Sequence, residues 1–379
     1  LPEPDILASR LGVDLRGCEV KPSLFDPRWP KDKWDPQFAH LHAPAYAAAR
    51  RLLDATFQTM VDVDGNFGRD FATTGFSPRL FELAMFAYLD EFGLVPPAGR
   101  RDHHPDFIIG GGRDVAVEVT TSNPTHGSPA VGSKVPADLA DLMPSDAMEA
   151  RRRLVFQFGK VVRAKLQWSN GVGQRYWELP HTRDLPFVVA YGAFHDSAAL
   201  WLSGNAIAEY LYGQTDRVDY VDGKLILTPE PLIEHHCGDK NPIPSGLFRQ
   251  PEAQRLAGVL FSNEHTAPKF LRIGLERGYG DDRVLAMRVG FEYDLDPNAS
   301  TPKGFTYRVG ERPATDLETF AEGLHLFINP WCESSLSPEL FPELMVHQLL
   351  PDGRFLTTYP PGTTLHPVAS RTAVIQITD

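Results

Sequence analysis

At 379 residues, with 42% hydrophobic and 23% charged residues, the chain is long enough for two domains or one large domain with additions, and its composition excludes a disordered polymer. No apolar run approaches the ~20 residues that a membrane-spanning helix needs, so no membrane is expected among its partners. A formal net charge of −12 excludes a protein that coats nucleic acid non-specifically, because Lys and Arg supply that affinity, although an enzyme with a local basic groove remains open.

The first residues, Leu1-Pro2-Glu3-Pro4-Asp5, lack a basic-then-apolar pattern, so no signal peptide is expected. The missing Met suggests numbering that starts after a trimmed segment. Cys18, Cys237 and Cys332 lie far apart and form no CxxC pair, which points to a reducing cytoplasm. Residues 1–45, rich in Pro, Asp and Trp, read as an arm that packs through aromatics, followed by a helix over about 44–61. Ser77 and Pro78 then mark a helix start, with Phe76 and Phe81 at hydrophobic-staple spacing. Apolar residues run to Phe92 on nearly every face, and Gly93 stops the helix, which is therefore expected to be buried.

Two strands follow, Phe107–Ile109 and Val115–Thr121, joined by the glycine-rich turn 110–114, a hairpin signal. A Pro/Ser/Asp-rich loop covers 122–145. A helix is expected from Asp146 to Trp168, a strand from Pro186 to Tyr191 and a helix from Ala198 to Tyr212. Beyond about 215, short β-rich runs alternate with Pro, Gly and Asn turns: Lys224–Thr228, Gly258–Ser262, Arg283–Tyr293, Gly304–Val309 and Leu324–Ile328. The expected division is an N-terminal arm and helix (1–60), a core (61–215) and a β-rich C-terminal region (216–379). The boundary at 215 is soft, since 258–262 could extend the first sheet.

Three carboxylates stand out. In the strand Val115–Thr121 the side chains alternate, with Val115, Val117 and Val119 on one face and Ala116, Glu118 and Thr120 on the other. Asp106 opens the partner strand, so the hairpin brings it toward Glu118. Glu82 sits mid-helix among apolar neighbours, where an unpaired carboxylate is costly. Each has an ordinary explanation, such as Arg79 pairing with Glu82 or Pro105-Asp106 starting a turn. The combination is what points to chemistry.

In Glu82, Pro105-Asp106 and Glu118-Val119-Thr120 the chain resembles the PD-(D/E)XK nuclease superfamily over residues 75–195. Segments 243–248 and 260–263 are similar to parts of uncharacterised bacterial proteins carrying that core. The resemblance implies a restriction-endonuclease-like α/β fold, a mixed sheet flanked by helices. It also implies a magnesium-dependent nuclease, with Mn²⁺ able to substitute, in which Asp106 and Glu118 bind the metal and Glu82 is ligand or supporting partner. Nucleic acid, DNA favoured, is the implied partner, and bacterial defence or DNA processing the implied setting. A homo-oligomer or an activating protein partner is compatible with it.

The sequence departs from the family pattern at Thr120, where a lysine is usual. The helix 146–168 offers a replacement: Phe158, Val162 and Lys165 share a face, so Lys165 is the candidate catalytic lysine, with Lys160 as substitute and a snorkelling lysine as the ordinary alternative. Arg151-Arg152-Arg153 and Arg163 on that helix either track a phosphate backbone or form a solvated face. His103 and His104 precede the Pro-Asp pair and could touch substrate. Gly110-Gly111-Gly112 lacks the Lys-Ser/Thr of a phosphate loop, and no Gly-x-Ser-x-Gly elbow occurs. Trp168, Tyr176 and Trp177 read as core. Two alternatives stand beside the nuclease: a degenerate nuclease fold that binds nucleic acid or a protein partner, favoured by Thr120 and the acidic charge, and a zinc hydrolase built on His235 and His236.

Overall fold

A computed structural model of the protein describes residues 21–26, 28–95, 104–110, 114–124, 146–280 and 283–377. Cys18, His103, the centre of the glycine turn and most of the 122–145 loop lie outside the described residues. The helices are α1 (Pro36–Leu41), α2 (Ala47–Thr59), α3 (Phe67–Ala72), α4 (Phe76–Glu91), α5 (Ala147–Gln167), α6 (Asn205–Tyr212) and α7 (Ala267–Glu276). The strands β1 (Phe107–Ile109), β2 (Val115–Ser122) and β3 (Phe187–Ala193) precede two small antiparallel pairs, β4 (Gln214–Val221) with β5 (Lys224–Pro231) and β6 (Glu234–His235) with β7 (Ile243–Pro244). Then come β8 (Leu256–Ser262), β9 (Val284–Glu292), β10 (Lys303–Arg308), β11 (His325–Ile328), β12 (Met345–Leu349), β13 (Phe355–Thr358) and β14 (Pro367–Gln376).

The fold is mixed α/β. One seven-stranded sheet, ordered β1-β2-β3-β8-β11-β12-β13, carries β1 antiparallel to β2, and β2, β3 and β8 parallel to one another. Both faces of its central strands β2, β3 and β8 are covered. Val115, Val117, Val119, Val188 and Leu260 pack with α2 and α4, whereas Ala116, Val189, Tyr191, Val259 and Phe261 pack with α5 and α6. Burial on both faces explains why these strands read as continuous apolar runs. Among the described residues, no helix is long and apolar enough to cross a membrane.

Several elements differ from expectation. Helix α4 starts one residue before Ser77 and is preceded by Gly75, with no side-chain cap; Ser77 is buried instead and its hydroxyl accepts from Gln37 Nε2 at 3.3 Å. Gly93, with φ of 66°, ends the helix as expected. Residues 198–212 do not form one helix: a 3-10 turn at Ala199–Trp201 is separated from α6 at Gly204, where an added Cβ would meet Phe327 Cζ at 3.0 Å. The division at 215 does not separate two sheets, because β8, β11, β12 and β13 continue the sheet begun by β1–β3. Among the described residues, β9, β10 and β14 form a separate sheet of three strands, beside the β4–β5 and β6–β7 pairs.

Helix α7 was not expected from the sequence. It carries Lys269 and Arg272 into a buried ionic network. Glu318 accepts from Lys269 Nζ at 3.1 Å and from Arg272 Nε and Nη2, both at 2.7 Å. Arg288 on β9 joins Glu264 at 3.1 Å and pairs with Glu322, which also takes Arg312 at 2.8 Å.

Gly274 lets α7 lie against α2. A Cβ there would sit 2.7 Å from the Ala48 carbonyl oxygen, a backbone atom that cannot swing aside. Alanine gains about 1 kcal/mol of helix propensity over glycine, but overpacking of this kind costs about 1–3 kcal/mol. Gly274→Ala should therefore lower the midpoint of thermal unfolding; a rise would show that the two helices can part without loss.

Candidate active site

The β1–β2 register, Phe107 opposite Val117, continues backward to set Asp106 across from Glu118. Asp106 Oδ2 accepts the Val119 amide at 2.7 Å, which fixes the carboxylate against β2. Glu118 projects from the face of β2 that α5 covers, and its side chain is 2% exposed. Its Oε1 accepts from Lys165 Nζ at 2.6 Å and from the Tyr176 hydroxyl at 2.8 Å. Its Oε2 is buried with no hydrogen-bond partner among the described residues. Thr120, two residues further on the same face, is half-exposed.

Lys165 lies in the last turn of α5, the crossover that joins the parallel strands β2 and β3. Its side chain is 29% exposed, so the stem lies in the protein while the ammonium reaches the carboxylate. Lys160, five residues earlier and about 140° away around the helix, is exposed. Glu82 projects from α4 on the other side of the sheet layer. Its Oε2 accepts from Arg79 Nη1 at 2.8 Å, and Arg79 Nη2 donates to Asp70 Oδ2 at 3.1 Å. The structure thus gathers Asp106, Glu118 and Lys165 at one point, with Glu82 electrostatically joined to them yet held in an ion pair.

The electrostatics agree with that grouping. Burial pushes the Asp106 carboxyl well above the usual carboxylate range, and the negative charges of Glu118 and Glu82 push it further, against the Val119 amide and Lys165. Burial also raises Glu82, where Arg79 pulls back and Glu118 adds to the rise. Tyr176 is held protonated by burial first and then by Glu118. Tyr176 was expected to be only core. It is core on its ring faces, stacked on Trp168 at 4.1 Å and on Phe187 at 5.2 Å, but its hydroxyl serves the site. No local pattern marks it, because it arrives on a 3-10 turn, Tyr176–Glu178, placed by the chain reversal after α5. The His104 ring packs on Trp168 at 4.8 Å, beside the site.

The donor set suits a hard divalent cation. It offers carboxylate oxygens, an orphaned buried Oε2 on Glu118, and an Asp106 whose charge is opposed by its neighbours and would be relieved by a cation. Among the described residues, no three His, Cys, Asp or Glu side chains form a ready cage, and magnesium, which keeps several waters, does not require one.

The other sequence candidates are placed elsewhere. The basic residues of α5 are largely committed: Arg151 pairs with Glu209, Arg163 with Glu252, Arg153 with Asp196 at 3.8 Å and Arg152 with Glu149 at 3.9 Å. They do not form an unneutralised track. His235 hydrogen-bonds Ser245 Oγ at 3.1 Å, whereas exposed His236 meets Glu234 at 3.0 Å, so the two rings do not converge.

A stability consequence follows from the raised Asp106. With its folded pKa above its unfolded value, the native state binds the extra proton between the two, so stability of the metal-free protein falls as pH rises through that window. Asn at 106 retains an oxygen for the Val119 amide and removes the charge. Asp106→Asn should unfold at a higher temperature than wild type at pH 8 in EDTA, with the gap closing below about pH 4, where an unfolded Asp is protonated. Calorimetry at both pH values checks this; a variant less stable at pH 8 would refute it.

Comparison of the chain with protein-family models, with curated proteins and with solved structures found no match.

Proposed function

We propose that this chain is a metal-dependent nuclease that hydrolyses phosphodiester bonds, DNA favoured, on a restriction-endonuclease-like core made of α4, β1, β2, α5 and β3. The observation that carries the reading is the 2.6 Å contact of Lys165 Nζ with Glu118 Oε1. A helix 47 residues downstream supplies the ammonium that Thr120 cannot.

Asp106 and Glu118 would hold a magnesium ion, with Mn²⁺ as substitute, which supplies Lewis acidity toward phosphate and lowers the pKa of water. The residues of the chain do the rest. The Val119 amide and the Tyr176 hydroxyl fix the two carboxylates in place. Lys165 offsets negative charge as it builds on the phosphate, in a site shielded enough for that charge to count. Thr120 can donate a hydrogen bond from the same face. Glu82, anchored by Arg79, adds negative potential that favours a cation. A cytoplasmic setting suits the unpaired Cys237 and Cys332.

The test is direct. Purified protein is incubated with supercoiled plasmid, linear duplex and RNA, with Mg²⁺, Mn²⁺ or EDTA. Cleavage is expected with either metal and none in EDTA. Cleavage that persists in EDTA would reject the reading.

A second reading has its own support. The Lys165–Glu118 ion pair and Thr120 also suit a degenerate core that keeps the fold without cutting. It expects no metal-dependent cleavage, and nucleic-acid binding that survives Asp106→Ala.

A further inference from the structure

A cleft of about 910 Å³ opens where the N-terminal arm meets the start of α4 and the end of β2. Trp29 and Trp34 line it from the arm, Arg69 from α3, Ser77 from α4 and Asn123 from just beyond β2. We propose that this cleft takes a nucleotide unit of single-stranded nucleic acid flanking the scissile bond, the base against the tryptophans and the phosphate at Arg69; this rests on the nuclease reading.

The two tryptophans are neither exposed nor fully buried. Trp34 is braced by stacking on His42 at 4.5 Å and by its Nε1 donating to the Trp29 carbonyl at 3.0 Å, so this part of the arm is a fixed platform. Aromatic faces of this kind take any base, at about 1–3 kcal/mol per stack. Arg28 and Lys33 add cations, while Asp32 and Asp35 bring acidic groups and Asp35 is used on the Gln37 amide at 2.8 Å.

Arg69 is exposed, and among the described residues its guanidinium is bonded only to its neighbour Asp70, at 3.0 Å. Such surface pairs hold weakly, so a phosphate can take the guanidinium over. Asp70 passes on to Arg79 at 3.1 Å, and Arg79 to Glu82 at 2.8 Å. The cleft is thus joined to the carboxylate site by three consecutive ion pairs, and its Ser77 lies five residues, about 7.5 Å along the helix, from Glu82.

Binding of a fluorescein-labelled twelve-residue oligo-dT is measured by anisotropy in EDTA, so that nothing is cut. Trp29→Ala and Arg69→Ala should each weaken it about 5- to 30-fold, and Trp29→Phe should restore most of the loss, with unchanged circular dichroism spectra. Equal affinity in wild type and both alanine variants overturns the proposal, as does a wild type that binds no oligonucleotide. Cleavage is scored separately with Mg²⁺. A protein that cuts with wild-type KM in both alanine variants keeps the nuclease reading and loses the cleft. One that binds through Trp29 but never cuts keeps the cleft and loses the nuclease.

Discussion

Asp106→Ala should reduce metal-dependent cleavage at least a thousandfold, and Lys165→Ala about a hundred- to a thousandfold, with Lys160→Ala close to wild type. The first expectation follows from the donor set. Asp106 and Glu118 are close enough for their charges to oppose one another, and Glu118 keeps one buried oxygen unpaired, so removing either carboxylate would leave a cation one protein ligand short. The second scales with what one preorganised charge-stabilising donor contributes to a transition state, about 3–4 kcal/mol. Lys165 also supplies the only cation hydrogen-bonded to Glu118 among the described residues, so its loss has a structural cost as well. Unfolding midpoints must therefore accompany the rates. If Lys165→Ala cuts at the wild-type rate while Asp106→Ala is dead, the lysine is a snorkelling helix residue. If Asp106→Ala still cuts, the site lies elsewhere.

Glu318→Ala should destabilise the fold by about 3–5 kcal/mol, the usual cost of breaking a buried ion pair by deleting one partner. Lys269 and Arg272, with side chains 0% and 2% exposed, would be left without the carboxylate that receives three of their hydrogen bonds. Glu318→Gln, which keeps oxygen and nitrogen in place, should show that the loss is one of charge if it falls between the two. Burial by itself would raise the Glu318 carboxyl, but Arg272, Arg288 and Lys269 overcome it and hold it well below the usual range. A depressed folded pKa gives stability that is present above the unfolded pKa, about 4.3 for Glu, and is lost as pH falls below it. Urea denaturation at pH 7 and pH 3.5 reads both effects. A Glu318→Ala midpoint equal to wild type at pH 7 would mean that the network relaxes around the gap.

The parts of the molecule legible in the sequence are those governed by local rules. The buried α4, the β1–β2 hairpin and the alternation that sends Glu118 and Val119 to opposite faces all follow from period and turn chemistry. Lys165 was legible because helical spacing put it in line with Phe158 and Val162, residues that pack against the sheet. Tyr176 was not, since its hydroxyl reaches Glu118 across 58 residues of chain. The ionic network was also hidden. Glu264, Lys269, Arg272, Arg288 and Glu318 each look like surface charges until α7 and β9 fold them against one another. Ser77 misled because a serine before a proline is a cap only if the chain enters the helix there, and here Phe76 enters first. The basic run Arg151-Arg152-Arg153 misled in the same way, because its acidic partners Glu209 and Asp196 come from later elements.

The order of the large sheet bears on how the protein is made. Its strands are added in the sequence in which they leave the ribosome, from β1 to β13, yet β3 ends at Ala193 and its outer neighbour β8 begins only at Leu256. At about 5–20 residues per second, that interval lasts several seconds, during which a wholly apolar strand offers an unpaired edge to any other nascent chain. The half of the sheet that ends at β3 therefore cannot close on its own. A chain that stopped near residue 215 would leave the β3 edge open, and that edge is covered only once β8, up to Ser262, has been made.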